Sequence, residues 1–121
     1  MMTPRESLLL HGLYDWVALD QVHRCVALSI VGSSTSRVQD AVLGLIRELV
    51  TDGLFEVGDV TAERGFAAWP DSIDDAIAKI EHYYVEASED VNVWPWCCWF
   101  SLTSHGEGVA RRLLAEYRPQ L

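Results

Sequence analysis

Lysine is almost absent from this chain: Lys79 stands alone against eight arginines. A nucleic-acid or lipid surface is usually met with many cations, and a formal charge of −9 argues against both. Long apolar runs are absent too. Half of the residues are apolar, yet no stretch approaches the roughly 18–20 residues a membrane helix needs. The first residues lack the charged-then-apolar plan of a signal peptide, and Leu8-Leu9-Leu10 is too short for its apolar region. The expectation is a cytoplasmic protein with no membrane partner. Three cysteines, two of them adjacent, build no disulfide framework, so reduced thiols are expected.

Motifs that carry chemistry are equally scarce. There is no glycine-rich phosphate loop, no nucleophile elbow and no HExxH pair. His11, His23, His82, His105, Cys25, Cys97 and Cys98 show no metal-ligand spacing. Cys97 and Cys98 fall in an expected strand, where neighbours point to opposite faces and cannot share an ion. The expectation is therefore no metal, no cofactor and no enzyme. The residual enzymatic reading, a Cys25 or Cys98 nucleophile, would need a thiol of depressed pKa.

What is present organises around residues 36–52. Val38, Val42, Leu45, Ile46, Leu49 and Val50 recur at helical spacing, Ser36 with Gln39 reads as a capping box, and Gly53 follows the end. Before it, Thr3, Pro4 and Glu6 start a first helix, with Leu9, Leu10 and Leu13 inward, Leu8 at the edge and Gly12 closely packed. A short extended piece, 16–19, leads to Asp20 as cap of a second helix over 21–30. After Gly53 a strand spans 54–60, with Glu56 and Asp59 outward, and 66–70 is extended. Asp71 or Ser72 caps a helix over 72–87 with Ile73, Ile77, Ile80, Tyr84 and Ala87 as its stripe. A strand over 96–102 puts Trp96, Cys98, Phe100 and Leu102 on one face. The last helix is capped by Thr103 or Ser104, with Glu107 closing a box on Ser104 and Arg111, Arg112 and Arg118 towards its end.

This order of elements resembles a winged-helix domain. The stretch 16–22 is similar to the first strand entering the second helix, 45–57 to a recognition helix entering a wing, and 100–108 to the step from the wing to the final helix. The resemblance implies one α+β, winged-helix-like domain over 1–121, mostly helical, with a small antiparallel sheet. An acidic helical insert over about 61–95 stands where a short wing hairpin is usual. It also implies that Ser36, Arg37, Arg47 and Thr51 face DNA. The whole chain further resembles small uncharacterised winged-helix proteins of actinobacteria, and some acidic proteins of this size serve as immunity partners of toxins.

Charge decides between these implications. Residues 54–90 hold ten acidic and two basic side chains, whereas 1–53 hold six and four. The outer face of 36–52 cancels, Arg37 and Arg47 against Asp40 and Glu48. Such a helix lacks the cations that supply most DNA affinity. The favoured expectation is a non-enzymatic acidic module for a basic protein partner, of the inhibitor or immunity type. Its surface would be Glu56, Asp59, Glu63, Trp69, Asp71, Asp74, Asp75, Glu81, Glu86, Glu89, Asp90 and Trp94. The alternative is a homodimeric DNA-binding regulator. Trp96 and Trp99 face opposite ways in the expected strand, and the simplest way to bury Trp99 is beneath the inserted helix.

Overall fold

Helix α1 (Pro4–Gly12) begins where its sequence places it. Thr3 Oγ1 accepts from the Glu6 amide at 3.2 Å and Glu6 Oε1 accepts from the Thr3 amide at 3.0 Å, satisfying two donors that open a helix. The computed structural model describes residues 2–117; Met1 and Arg118 lie outside the described residues. Helix α1 turns both Leu8 and Leu9 fully inward, so Leu8 is core rather than edge. Gly12 is closely packed as expected, since a Cβ there would sit 2.7 Å from the Leu102 side chain.

Strand β1 (Val17–Ala18) leads directly into α2 (Leu19–Ser29). Ala18 is the N-cap position and makes no side-chain cap, so Asp20 does not cap this helix. It lies inside the first turn and pairs with Arg24, one turn on, at 2.7 Å. Helix α3 (Thr35–Thr51) is capped by Ser34, whose hydroxyl accepts from the Arg37 amide. The expected Ser36–Gln39 box does not form, because Gln39 is turned into the core. Gly53 closes α3 with φ +71°, a conformation costly for other residues.

Four strands make one antiparallel sheet in the order β1-β4-β2-β3, where β2 is Phe55–Thr61, β3 Gly65–Ala68 and β4 Trp99–Leu102. Val17 and Val57 both stand opposite Phe100, so one row of the sheet is a continuous apolar ridge. Leu8, Val22, Val42, Ile46 and Leu49 pack on that side from α1, α2 and α3. Each such burial stabilises by about 1.5–3 kcal/mol against an exposed reference. Segment 66–70 becomes part of this sheet: β3 pairs with β2 across a tight turn and extends the edge.

Helix α4 (Ile73–Glu81) is capped by Ser72 and buries Ala76, Ile77 and Ile80. The chain continues from it as a π-helical turn, His82–Glu86, that carries Tyr84 into the core. Residues Trp94–Trp96 form a 3₁₀ turn around the buried Pro95. Strand β4 therefore starts three residues later than its β composition predicts. Cys98, Phe100 and Leu102 keep the expected inward face, while Trp96 remains outside and stacks on Trp99 with ring centroids 5.9 Å apart. Helix α4 packs against α3 and leaves Trp99 half-buried beside that tryptophan.

Helix α5 (Ser104–Tyr117) is capped by Thr103, whose hydroxyl accepts from the Gly106 amide at 2.9 Å and donates to Gly53 O. Glu107 bonds Arg111 instead of closing a box. Gly106 is buried against the Leu54 carbonyl, which a Cβ would overlap. That contact locks α5 to the exit of α3.

Candidate functional site

The insert carries the acidity as the sequence predicts, but the structure divides the twelve predicted residues. Glu56, Trp69 and Asp71 come together around one shallow cleft between β2, the end of β3 and the start of α4. Lys79 lies 4.1 Å above the Trp69 ring and 3.2 Å from the Asp71 carboxylate, so both are covered by the insert's own cation. Asp74 reaches across to Arg47 of α3 at 2.7 Å. Glu86 faces His82 at 3.9 Å. Asp75, Glu81, Glu89 and Asp90 are exposed, and among the described residues none of the four has an ion-pair partner. Asp59 and Glu63 are exposed on the β2–β3 hairpin, apart from the α4 group.

Trp94 is half-buried and lines a second cleft together with Glu89. Its ring packs 5.1 Å from His23 and 5.0 Å from Tyr84 by centroids, which ties the end of the insert to α2. Burial pushes the His23 imidazole below its ordinary pKa, with Asp20 opposing, and pushes the Tyr84 phenol far above its own. His23 Nδ1 lies 2.7 Å from the Tyr84 hydroxyl. Gln39 Nε2 donates to the Tyr84 carbonyl at 3.0 Å. Sequence reasoning overlooked Gln39 and His23 as members of one cluster. A signal existed for Gln39: at three and seven residues from Val42 and Ile46, it shares their inward helical face.

On α3, Ser36, Arg37 and Thr51 are exposed, whereas Arg47 is held by Asp74. The helix thus presents one cation, Arg37, without an ion-pair partner among the described residues.

The adjacent cysteines depart from expectation. Cys97 lies before β4 with φ −71° and ψ −19°, so strand alternation does not separate it from Cys98. The neighbouring Cys98 thiol lowers the pKa of the half-buried Cys97, while burial above all raises that of the enclosed Cys98. Cys25 Sγ donates to Ser7 Oγ at 3.9 Å, and among the described residues no histidine bonds any of the three thiols. No group of three or more His, Cys, Asp or Glu side chains converges to hold a metal ion among the described residues. No helix of the described residues is long and apolar enough to cross a membrane.

Comparison of the chain with family models, curated proteins and solved structures gave no match. The functional reading therefore rests on the geometry above.

Proposed function

We propose that this protein is a non-enzymatic binding module which engages a basic protein partner through its acidic insert, as a small inhibitor or immunity-type protein does, on a winged-helix-like scaffold. The observation that carries the reading is the state of the insert's charges. Its one lysine is taken up by Asp71 and Trp69, and the exposed Asp75, Glu81, Glu89 and Asp90 are left to an outside cation. A local excess of carboxylates steers and orients a cationic partner. The thiol of lowered pKa, Cys97, has another thiol as its partner rather than a base, which favours a binding role over nucleophilic catalysis.

The test begins with affinity capture at low salt and purification of the captured protein. Its affinity for the intact chain is then measured against ionic strength and against charge reversal at Asp75, Glu81, Glu89 and Asp90. Binding that weakens with salt and is lost on reversal supports the reading. Binding indifferent to both would sink it.

The second reading is a homodimeric DNA-binding regulator. What supports it is the order of α1, β1, α2, α3, β2, β4 and α5 and the β1-β4-β2 pairing, an arrangement similar to that of a winged helix with α3 as its recognition helix. Saturable low-salt gel shifts with genomic fragments, lost in Arg37→Ala and Arg47→Ala, would favour it over the first.

A further inference from the structure

A cleft of about 340 Å³ opens between the α2–α3 turn and the end of the insert, lined by His23, Ser33, Gln39, Tyr84, Glu89 and Trp94 among others. Its volume falls at the lower end of small-molecule sites, roughly 300–1,000 Å³. Gln39 is the one buried polar side chain among the described residues, 8% exposed. Its amide orientation is fixed, because the Tyr84 carbonyl it meets can only accept. Gln39 Oε1 therefore points away from that bond, and no described residue donates to it. Every fully enclosed side-chain nitrogen or oxygen among the described residues has a partner. Oε1 is consequently not enclosed, and Gln39 lines the cleft.

His23 supplies the complementary group. The Tyr84 side chain is almost wholly buried and keeps its proton, and His23 Nδ1 is its partner. A buried hydroxyl left without an acceptor is costly, so the phenol donates and the neutral imidazole carries its hydrogen on Nε2. No described residue accepts from Nε2. Gln39 and His23, which both line the cleft, thus hold an acceptor and a donor that no described residue uses, on either side of a single tyrosine and with the Trp94 ring in the same lining. The π-helical turn 82–86 brings Tyr84 there, and such turns occur frequently at functional sites.

The geometry points to a binding site in this cleft for a small, flat, uncharged heterocycle that carries a hydrogen-bond donor next to an acceptor, as a ring carboxamide or a nucleobase does. The ring lies against Trp94, its acceptor takes the His23 Nε2 hydrogen, and its donor meets Gln39 Oε1. Glu89 in the lining disfavours anions. The site shares Glu89 with the acidic surface proposed above, needs no protein partner, and lies beside the start of α3, through Ser33 and Thr35.

The whole protein is titrated with nicotinamide and with adenine and followed by amide NMR. Saturable shifts at His23, Gln39 and Trp94 are expected with at least one probe. N,N-dimethylnicotinamide keeps the ring and the acceptor and lacks the donor, so it should bind about 3–10-fold more weakly than nicotinamide if the latter is the ligand. Removal of the adenine exocyclic amine is the matching control for the other probe. Val91 is exposed and lines the cleft, so Val91→Trp should leave the amide spectrum outside the cleft unchanged and block the shifts. Absence of saturable shifts with both probes, equal binding of the donor-lacking analogues, or binding unaffected by Val91→Trp would each overturn the proposal.

Discussion

Arg47 on α3 and Asp74 on α4 are bonded at 2.7 Å, joining the helix that would read DNA to the insert that carries the acidity. Their side chains are 48% and 81% exposed, so the bond is well solvated and should contribute little to stability. Asp74→Asn is expected to change unfolding free energy by no more than about 0.5 kcal/mol in chemical denaturation. The same variant frees a cation on α3. With a binding module, it gains no DNA affinity in a low-salt gel shift; a clear gain would move the balance to the regulator.

Close approach of α5 to the Leu54 carbonyl predicts a large effect from one methyl group. Gly106→Ala should lower stability by about 1–3 kcal/mol, because backbone must shift to admit it. Gly108, two residues on, has nothing within 4 Å of a built Cβ. Gly108→Ala should stabilise by up to about 1 kcal/mol through helix propensity. Thermal or denaturant melts of the pair give opposite signs if α5 packs as described.

The depressed pKa of His23 sets a pH dependence. Between its folded value and the ordinary 6.5, the unfolded chain binds the extra proton, so stability rises with pH through that window. The contribution is fully present above 6.5 and is lost as pH falls through the folded value. Denaturation midpoints measured from about pH 8 down to about pH 5 should fall, and His23→Asn should flatten part of that slope. Asn Oδ1 takes the position of Nδ1 and can still accept from the Tyr84 hydroxyl, so the variant removes the titrating ring while keeping that bond.

The cysteines should react in order. Cys97 is half-buried with a lowered pKa, and Cys98 is enclosed with a raised one. Native alkylation monitored by mass spectrometry is expected to label Cys97 ahead of Cys98, with Cys98 labelled only on unfolding. Cys97→Ala removes the neighbouring thiol and should leave Cys98 inert in the folded state.

Local signals placed the elements well where a single side chain satisfies a nearby backbone group. Thr3 and Glu6, Ser72 and Gly53 each act within a few residues, and each is found at its helix end. The readings that failed involve a choice between local and distant partners. Ser34 rather than Ser36 caps α3 because Gln39 is drawn inward by the Tyr84 carbonyl, forty-five residues along the chain. Asp20 pairs along its own helix because β1 runs into α2 without a free turn. In 96–102 the β composition was real but Pro95 and the Trp94–Trp96 turn hold the first residues out of the sheet.

Of the candidate surface, the sequence revealed the charge and the tertiary structure decided its availability. Acidity concentrated in 54–90 is a property of composition, and it follows the residues wherever they fold. Whether a carboxylate is open to a partner depends on what the packing brings beside it. Lys79 covers Asp71, Arg47 holds Asp74, and Asp75 and Glu81 remain exposed. The cluster of His23, Gln39, Tyr84 and Trp94 joins three distant segments and has no trace in local periodicity as a group. Most of the helical and strand segments, the caps at Thr3 and Ser72 and the charge balance were determined by residues acting over one or two turns. The joining of the insert to α2 and α3, and the open donor and acceptor that result, exist only once long-range packing has chosen the partners.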